Sequence, residues 1–306
     1  GRYLGVVTPE VRVEIPDLLD LGQQVLRVDG KAHGATSDFL HYVYSSNLAA
    51  VAGEFTRGVG ARGGGELGLH IEVPLHHAER TRVRGEYRFA ANQLRLVPSL
   101  PELADASGSL SFTETGIGLS GGEARFLGNR IRASGVTEED GSLRFDLNGK
   151  IDVASLDAVV KTPLWGYLRG ESEAAGTLRV RDKRVELSLR SALAGVASNL
   201  PPPLQKAAVT EWPLSLTWQS QPGREGASAD RWQLELDGRL NLAWEDVCAP
   251  QCGFARGVLA YGAQAELPAQ GWRLAGRFDK LNVDPWRPVV AALIAGEGGF
   301  GASGRE

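Results

Sequence analysis

Trp232-Gln233-Leu234-Glu235-Leu236-Asp237-Gly238-Arg239-Leu240-Asn241-Leu242-Ala243-Trp244 alternates between two kinds of residue. Trp232, Leu234, Leu236, Gly238, Leu240, Leu242 and Trp244 share one parity, and Gln233, Glu235, Asp237, Arg239 and Asn241 the other. Successive side chains of a strand point to opposite faces, so the run reads as one long strand with an apolar and a wet face.

Two further stretches repeat the pattern. Leu143, Phe145, Leu147, Gly149, Ile151 and Val153 alternate with Arg144, Asp146, Asn148, Lys150 and Asp152, and Leu67, Leu69, Ile71, Val73 and Leu75 share one parity. Turn signals separate the runs at Ala91-Asn92, at Asp140-Gly141 and at Arg181-Asp182-Lys183. The chain is expected to be mainly β, a meander of long antiparallel hairpins with more than half of its residues in strands. Helix is expected only near 37–48, 155–162 and 285–295. There Ser37-Asp38, Ser155 and Asp284-Pro285 provide start signals before apolar residues at helical spacing.

Those helices sit in a recurring frame. Val28-Asp29-Gly30-Lys31, Leu147-Asn148-Gly149-Lys150 and Leu274-Ala275-Gly276-Arg277 each place an Asp eight residues after the Gly, at Asp38, Asp157 and Asp284. A repeat this long suggests a multi-strand block tiled along an axis. Chance is the competing reading, because 39 of the 306 residues are Gly. The strand core recurs without the helix around Gly85 and Gly238. A mid-strand Gly marks a bend, a bulge or a close approach to the backbone. Both a strongly curved sheet and a bulged sandwich remain open on that basis.

Composition excludes several classes. A net charge of −4 and a pI near 5.8 give no nucleic-acid footprint. The longest apolar run, Val289–Ala295, is less than half a membrane span. The chain lacks Met altogether, which suggests a fragment or processed product.

Catalytic and metal constellations are not found. His33, His41 and His70 are scattered, and His76-His77 follow Pro74-Leu75 in an expected turn without a third ligand nearby. Glu138-Glu139-Asp140-Gly141 reads as a hairpin turn, and Gly63-Gly64-Gly65 precedes a strand, not the helix of a phosphate loop. No enzyme activity, cofactor or metal is expected. Cys248 and Cys252 could close a small loop as a disulfide, remain free thiols or, least readily, bind metal. Trp232, Trp244 and Trp272 keep the parity of their aliphatic neighbours, so the structural role is favoured over carbohydrate stacking.

One segment is more specific. Val196-Ala197-Ser198-Asn199-Leu200-Pro201-Pro202-Pro203-Leu204-Gln205-Lys206, followed by Trp212-Pro213-Leu214, resembles the YhdP-type branch of the AsmA-like proteins, relatives of TamB. Ala106–Gly116, Phe126-Leu127-Gly128 and Leu67–Leu75 are similar to the repeated strand entries of that family, and the likeness runs from about Ile15 onward. The resemblance implies an elongated, strongly curved β-groove in the periplasm. Residues 1–50 would end a preceding block, and 51–170 and 171–306 would form two blocks of one continuous domain. It implies an inner-membrane-anchored protein, its anchor outside this chain, that moves phospholipid between the two membranes of a Gram-negative bacterium. The groove lining is then expected from Leu69, Ile71, Val73, Phe145, Leu147, Ile151, Trp232, Leu234, Leu236, Leu240, Leu242 and Leu274. A TamB-like role in outer-membrane protein handling and a glycan-binding sandwich are the alternatives.

Overall fold

A computed structural model of the chain describes residues 2–3, 6–16, 18–19, 24–45, 59–96, 101–181, 184–222, 228–248 and 252–295. Strand makes up 62% of it, and sixteen strands join in one mostly antiparallel sheet that is not closed into a barrel.

The chain divides into two compact units, the first comprising Gly1–Phe126, Arg130–Asp146 and Val180–Asp182. Its strands are β1 (Arg2–Tyr3), β2 (Val6–Glu14), β3 (Val25–Ala35), β4 (Gly60–Pro74), β5 (Arg82–Arg95), β6 (Leu103–Thr113), β7 (Ile117–Phe126) and most of β8 (Asn129–Thr137). Each is hydrogen-bonded to the next in sequence. The turn over 138–142 leads to β9 (Leu143–Asp152), as expected, with the Gly141 amide donating to the Glu138 carbonyl at 2.9 Å. His76 and His77 lie in the expected turn after β4.

The second unit comprises Leu127–Asn129, Leu147–Arg179 and Lys183–Glu306. Short β10 (Leu168–Arg169), β13 (Ala197–Asn199) and β14 (Gln205–Lys206) form a small sheet of their own. The main sheet continues through β11 (Glu171–Arg181), β12 (Arg184–Ser191), β15 (Leu214–Pro222), β16 (Ser228–Leu236), β17 (Leu240–Cys248), β18 (Cys252–Tyr261) and β19 (Gly271–Gly276).

Several expectations need correction. The run Trp232–Trp244 is two strands, not one. Asp237 and Gly238 take positive φ of 54° and 64°, the conformation of a type I′ turn, and the Arg239 amide donates to the Leu236 carbonyl at 3.0 Å. Alternation survives the turn because Leu236 and Leu240 are cross-strand partners and so share a face. Ala91-Asn92 is not a hairpin turn: β5 continues through it, with Ala91 at φ 53° and register shifts on either side of Asn92. Asp182 and Lys183 of the third turn signal lie outside the described residues.

Helix α1 (Thr36–Ser45) and helix α2 (Arg287–Ala295) stand where helices are expected, and residues 46–48 lie outside the description. A 3₁₀ turn at Asp284–Trp286 leads into α2, and Val283, not Asp284, precedes it. The helix expected over 155–162 is replaced by two 3₁₀ pieces, Val153–Ala158 and Pro163–Tyr167. Asp152 starts the first by accepting from the Ala154 amide at 3.0 Å, a turn earlier than Ser155. Thr162 and Pro163 then start a second piece and prevent the first from extending.

The sheet is also not wholly antiparallel, because β19 pairs with β18 in parallel. Residues 262–270 connect them without a helix, so no βαβ unit forms. This crossover packs Ala263, Ala265 and Leu267 on a dry cluster of Ala243, Val258 and Ala260. Those residues have the parity of Asn241, so here the face expected to be wet is covered.

Candidate functional site

In the first unit, register sorts the side chains into two faces. Leu26 pairs with Val73, Val28 with Ile71, Ile71 with Val83, and Leu67 with Tyr87. Tyr87 pairs with Leu110 and Leu110 with Leu119. Rows of apolar residues thus run across the strands on one face. On the other, Arg27 meets Glu72 at 3.5 Å, His70 Nδ1 meets Asp29 at 2.7 Å, and Glu86 accepts from Ser109 at 2.7 Å. The Asp29 carboxylate raises the pKa of His70, chiefly through that hydrogen bond.

Helix α1 lies on the apolar face. Phe39 and Tyr87 are buried with ring centroids 4.8 Å apart. Thr36 Oγ1 and the Tyr87 hydroxyl are 2.7 Å apart, and Asn92 Nδ2 donates to Thr36 Oγ1. Burial pushes the Tyr87 phenol up in pKa.

The second unit has an apolar face of its own, assembled from β12 to β19. One row contains Leu214, Leu236, Leu240 and Tyr261; the next contains Leu216, Leu234, Leu242, Leu259 and Leu274. A third contains Trp218, Trp232 and Trp244, whose rings stack at 5.4 and 5.3 Å between centroids. Trp272 follows, stacked on Phe254 at 4.9 Å. All seven Trp residues belong to this unit.

Three of the mid-strand glycines have a physical reason, whereas a Cβ on Gly30 would meet nothing closer than 3.9 Å. A Cβ on Gly85 would stand 2.0 Å from Phe112 Cζ, one on Gly135 2.3 Å from Phe145 Cδ1, and one on Gly257 2.5 Å from Trp272 Cζ3. What approaches the backbone is an aromatic ring of the neighbouring strand, the arrangement called aromatic rescue. Gly238 differs, since it serves the turn after β16.

The twelve expected lining residues all carry the apolar parity of their strands, and none is fully buried. Eleven are partly exposed, and Leu274 is 77% exposed. A dry sandwich core would bury them. Among the described residues the only other sheet is the three-stranded one.

Sequence reasoning missed an acidic margin to this face. Asp230 and Asp246 are cross-strand partners with the parity of Trp232 and Trp244. Asp230, 4% exposed, accepts from Ser220 at 2.6 Å, and Asp246 accepts from the Trp244 indole at 3.1 Å. Burial pushes the Asp246 carboxyl up in pKa, opposed by the indole hydrogen bond and reinforced by the charge of Asp230. Strict parity counting could have found the pair. Beyond it, Cys248 and Cys252 are direct cross-strand partners. That pairing places Cα atoms about 4.5–5.5 Å apart, within disulfide reach, and Cys248 is disulfide-bonded.

Each unit thus presents an apolar face of repeated rows, and in the second unit that face has a polar margin at Asp230 and Asp246. The YhdP protein family model matches residues 1–303. The chain belongs to the YhdP family. No curated protein and no solved structure matches it. The YhdP-like segment Val196–Lys206 contains β13, a cis Pro202-Pro203 bond and β14. Pro203 and Leu204 line a small cleft with Trp212, Leu236, Leu240 and Tyr261, so this YhdP-type segment meets one end of the apolar face.

Proposed function

We propose that this chain is a bridging lipid-transfer segment that shields phospholipid acyl chains along its apolar face, between the inner and outer membranes of a Gram-negative bacterium. It works in the periplasm as part of an inner-membrane-anchored protein and catalyses no reaction. Membership of the YhdP family supports the reading in general terms. The observation that supports the finer statement is the partial exposure of much of an apolar parity, Leu234, Leu242, Trp232 and Trp244 among it, although Tyr87 and Trp218 on that parity are buried.

The mechanism is physical. Each acyl methylene removed from water contributes about 0.8 kcal/mol wherever it lies on the face. Neighbouring strands are roughly 4.8 Å apart. A step from one strand to the next exchanges Leu234 for Leu242, or Trp232 for Trp244. Binding is strong in total, yet it changes little between adjacent positions, which permits sliding. Head groups stay at the open, wet edge of the face. The Trp ladder gives little support to a glycan platform, because Trp232 is stacked on both sides and Trp218 is 2% exposed.

Photo-crosslinking residues placed in cells at Leu69, Leu234 and Leu242 should capture phospholipid, and those at Glu66, Gln233 and Glu235 should not. Equal capture from both parities, or capture from neither, overturns the proposal.

A further inference from the structure

Lys206 is buried, 6% exposed, yet its ammonium group meets no carboxylate among its hydrogen bonds. It donates instead to the carbonyls of Leu193 at 2.8 Å, Val196 at 2.7 Å and Ala207 at 3.3 Å. A buried charge costs free energy unless it is well bonded. Three carbonyls are the full donor capacity of an ammonium. The stretch 193–207 is therefore gathered around a single side chain, much as a loop is gathered around a metal ion. Burial lowers the Lys206 pKa.

What the gathered stretch holds out is a turn. The Leu204 amide donates to the Pro201 carbonyl at 3.0 Å, and the Trp286 indole donates to the Pro202 carbonyl at 2.9 Å from the other side. Pro203 and Leu204 then face Leu236, Leu240 and Tyr261 across the small cleft. Trp212 completes it, with the Arg239 guanidinium 5.5 Å above its ring. Leu242 and Leu234, one row further along the strands, do not line that cleft.

We propose that Lys206 is a positioning residue that holds the Pro201–Leu204 turn as a side wall, closing the Leu236–Leu240 end of the apolar face to the ligand. The proposal rests on the lipid reading above and deepens it: acyl chains run along the Leu234/Leu242 and Trp232/Trp244 rows and stop at the wall.

The test uses the whole chain with vesicles of phosphatidylethanolamine as the probe. It measures photo-capture of lipid at Leu240 and Leu242 and hydrogen exchange along 193–207, in wild type and Lys206→Met. In wild type, capture at Leu242 exceeds that at Leu240. In Lys206→Met, exchange over 193–207 accelerates while β16 and β17 stay protected. Capture at Leu240 then rises on the order of four-fold, the effect of about one more buried methylene, and capture at Leu242 holds. A general loss of structure would instead move both positions together. Trp286→Phe, which frees the turn without touching the buried charge, should act in the same direction and serves if Lys206→Met does not fold. Unchanged exchange overturns the positioning role, and faster exchange with unchanged capture at Leu240 overturns the wall. No capture from Leu242 in wild type counts against the lipid reading itself, while the exchange result still decides what Lys206 holds.

Discussion

Replacing Gly85 by Ala adds one methyl group, and its effect should depend on a residue of the neighbouring strand. The new Cβ would stand 2.0 Å from Phe112 Cζ and 2.5 Å from each Cε. The ring must swing away or β5 and β6 must part, and overpacking of this kind costs about 1–3 kcal/mol. Ala in place of Gly in a strand returns about 0.5–1 kcal/mol. The net expectation is a loss of roughly 0.5–2 kcal/mol. In a Phe112→Ala background the ring is gone, only the backbone gain remains, and the same substitution should stabilise. Gly68 is the control, since a Cβ there meets nothing within 4 Å. Gly68→Ala should stabilise by about 0.5–1 kcal/mol whatever stands at Phe112. Native-state hydrogen exchange of the β5 and β6 amides reads the local opening free energies, and the double-mutant cycle isolates the pair. If Gly85→Ala behaves like Gly68→Ala in the presence of Phe112, the Phe112 ring does not require glycine at position 85.

Two further outcomes follow from local chemistry. His70 should titrate above the usual imidazole value of 6.5, because Asp29 and Glu72 favour its charged form. The group therefore adds stability that is fully present below about pH 6.5 and lost as pH rises through its folded pKa. Asp29→Asn should lower the His70 pKa in an NMR titration, and an unmoved value refutes the assignment. Thiol titration of the denatured, unreduced protein from an oxidising compartment should find about no free thiol, whereas two free thiols per chain would refute a Cys248–Cys252 bond.

The faces of the sheet were legible in the sequence because a strand's side-chain period of two leaves its mark on every residue. Trp232, Leu234, Leu242 and Trp244 could be assigned to one face before any pairing was known. The same periodicity concealed the hairpin. Leu236 and Leu240 face the same way on two antiparallel strands, so the pattern passes through Asp237-Gly238 unbroken, and only the positive φ demanded there betrays the turn. The glycines could be recognised as special but not explained. What lies over Gly85 depends on register with Phe112, a residue 27 positions away (112 − 85). The parallel return of β19 was not legible, since it depends on Ala263, Ala265 and Leu267 finding a dry patch on the opposite face. The role of Lys206 was hidden for a related reason: its partners are backbone carbonyls, which every sequence possesses.

The placement of the indoles gives the molecule an uneven optical character. Trp165, Trp212, Trp218, Trp232, Trp244, Trp272 and Trp286 all fall in the second unit, whereas Tyr3, Tyr42, Tyr44 and Tyr87 fall in the first. Intrinsic indole emission is thus a label already attached to one unit and missing from the other. Amide circular dichroism samples both. Melting curves from the two signals superimpose only when the units lose structure together, so the unmodified chain can report on its own cooperativity.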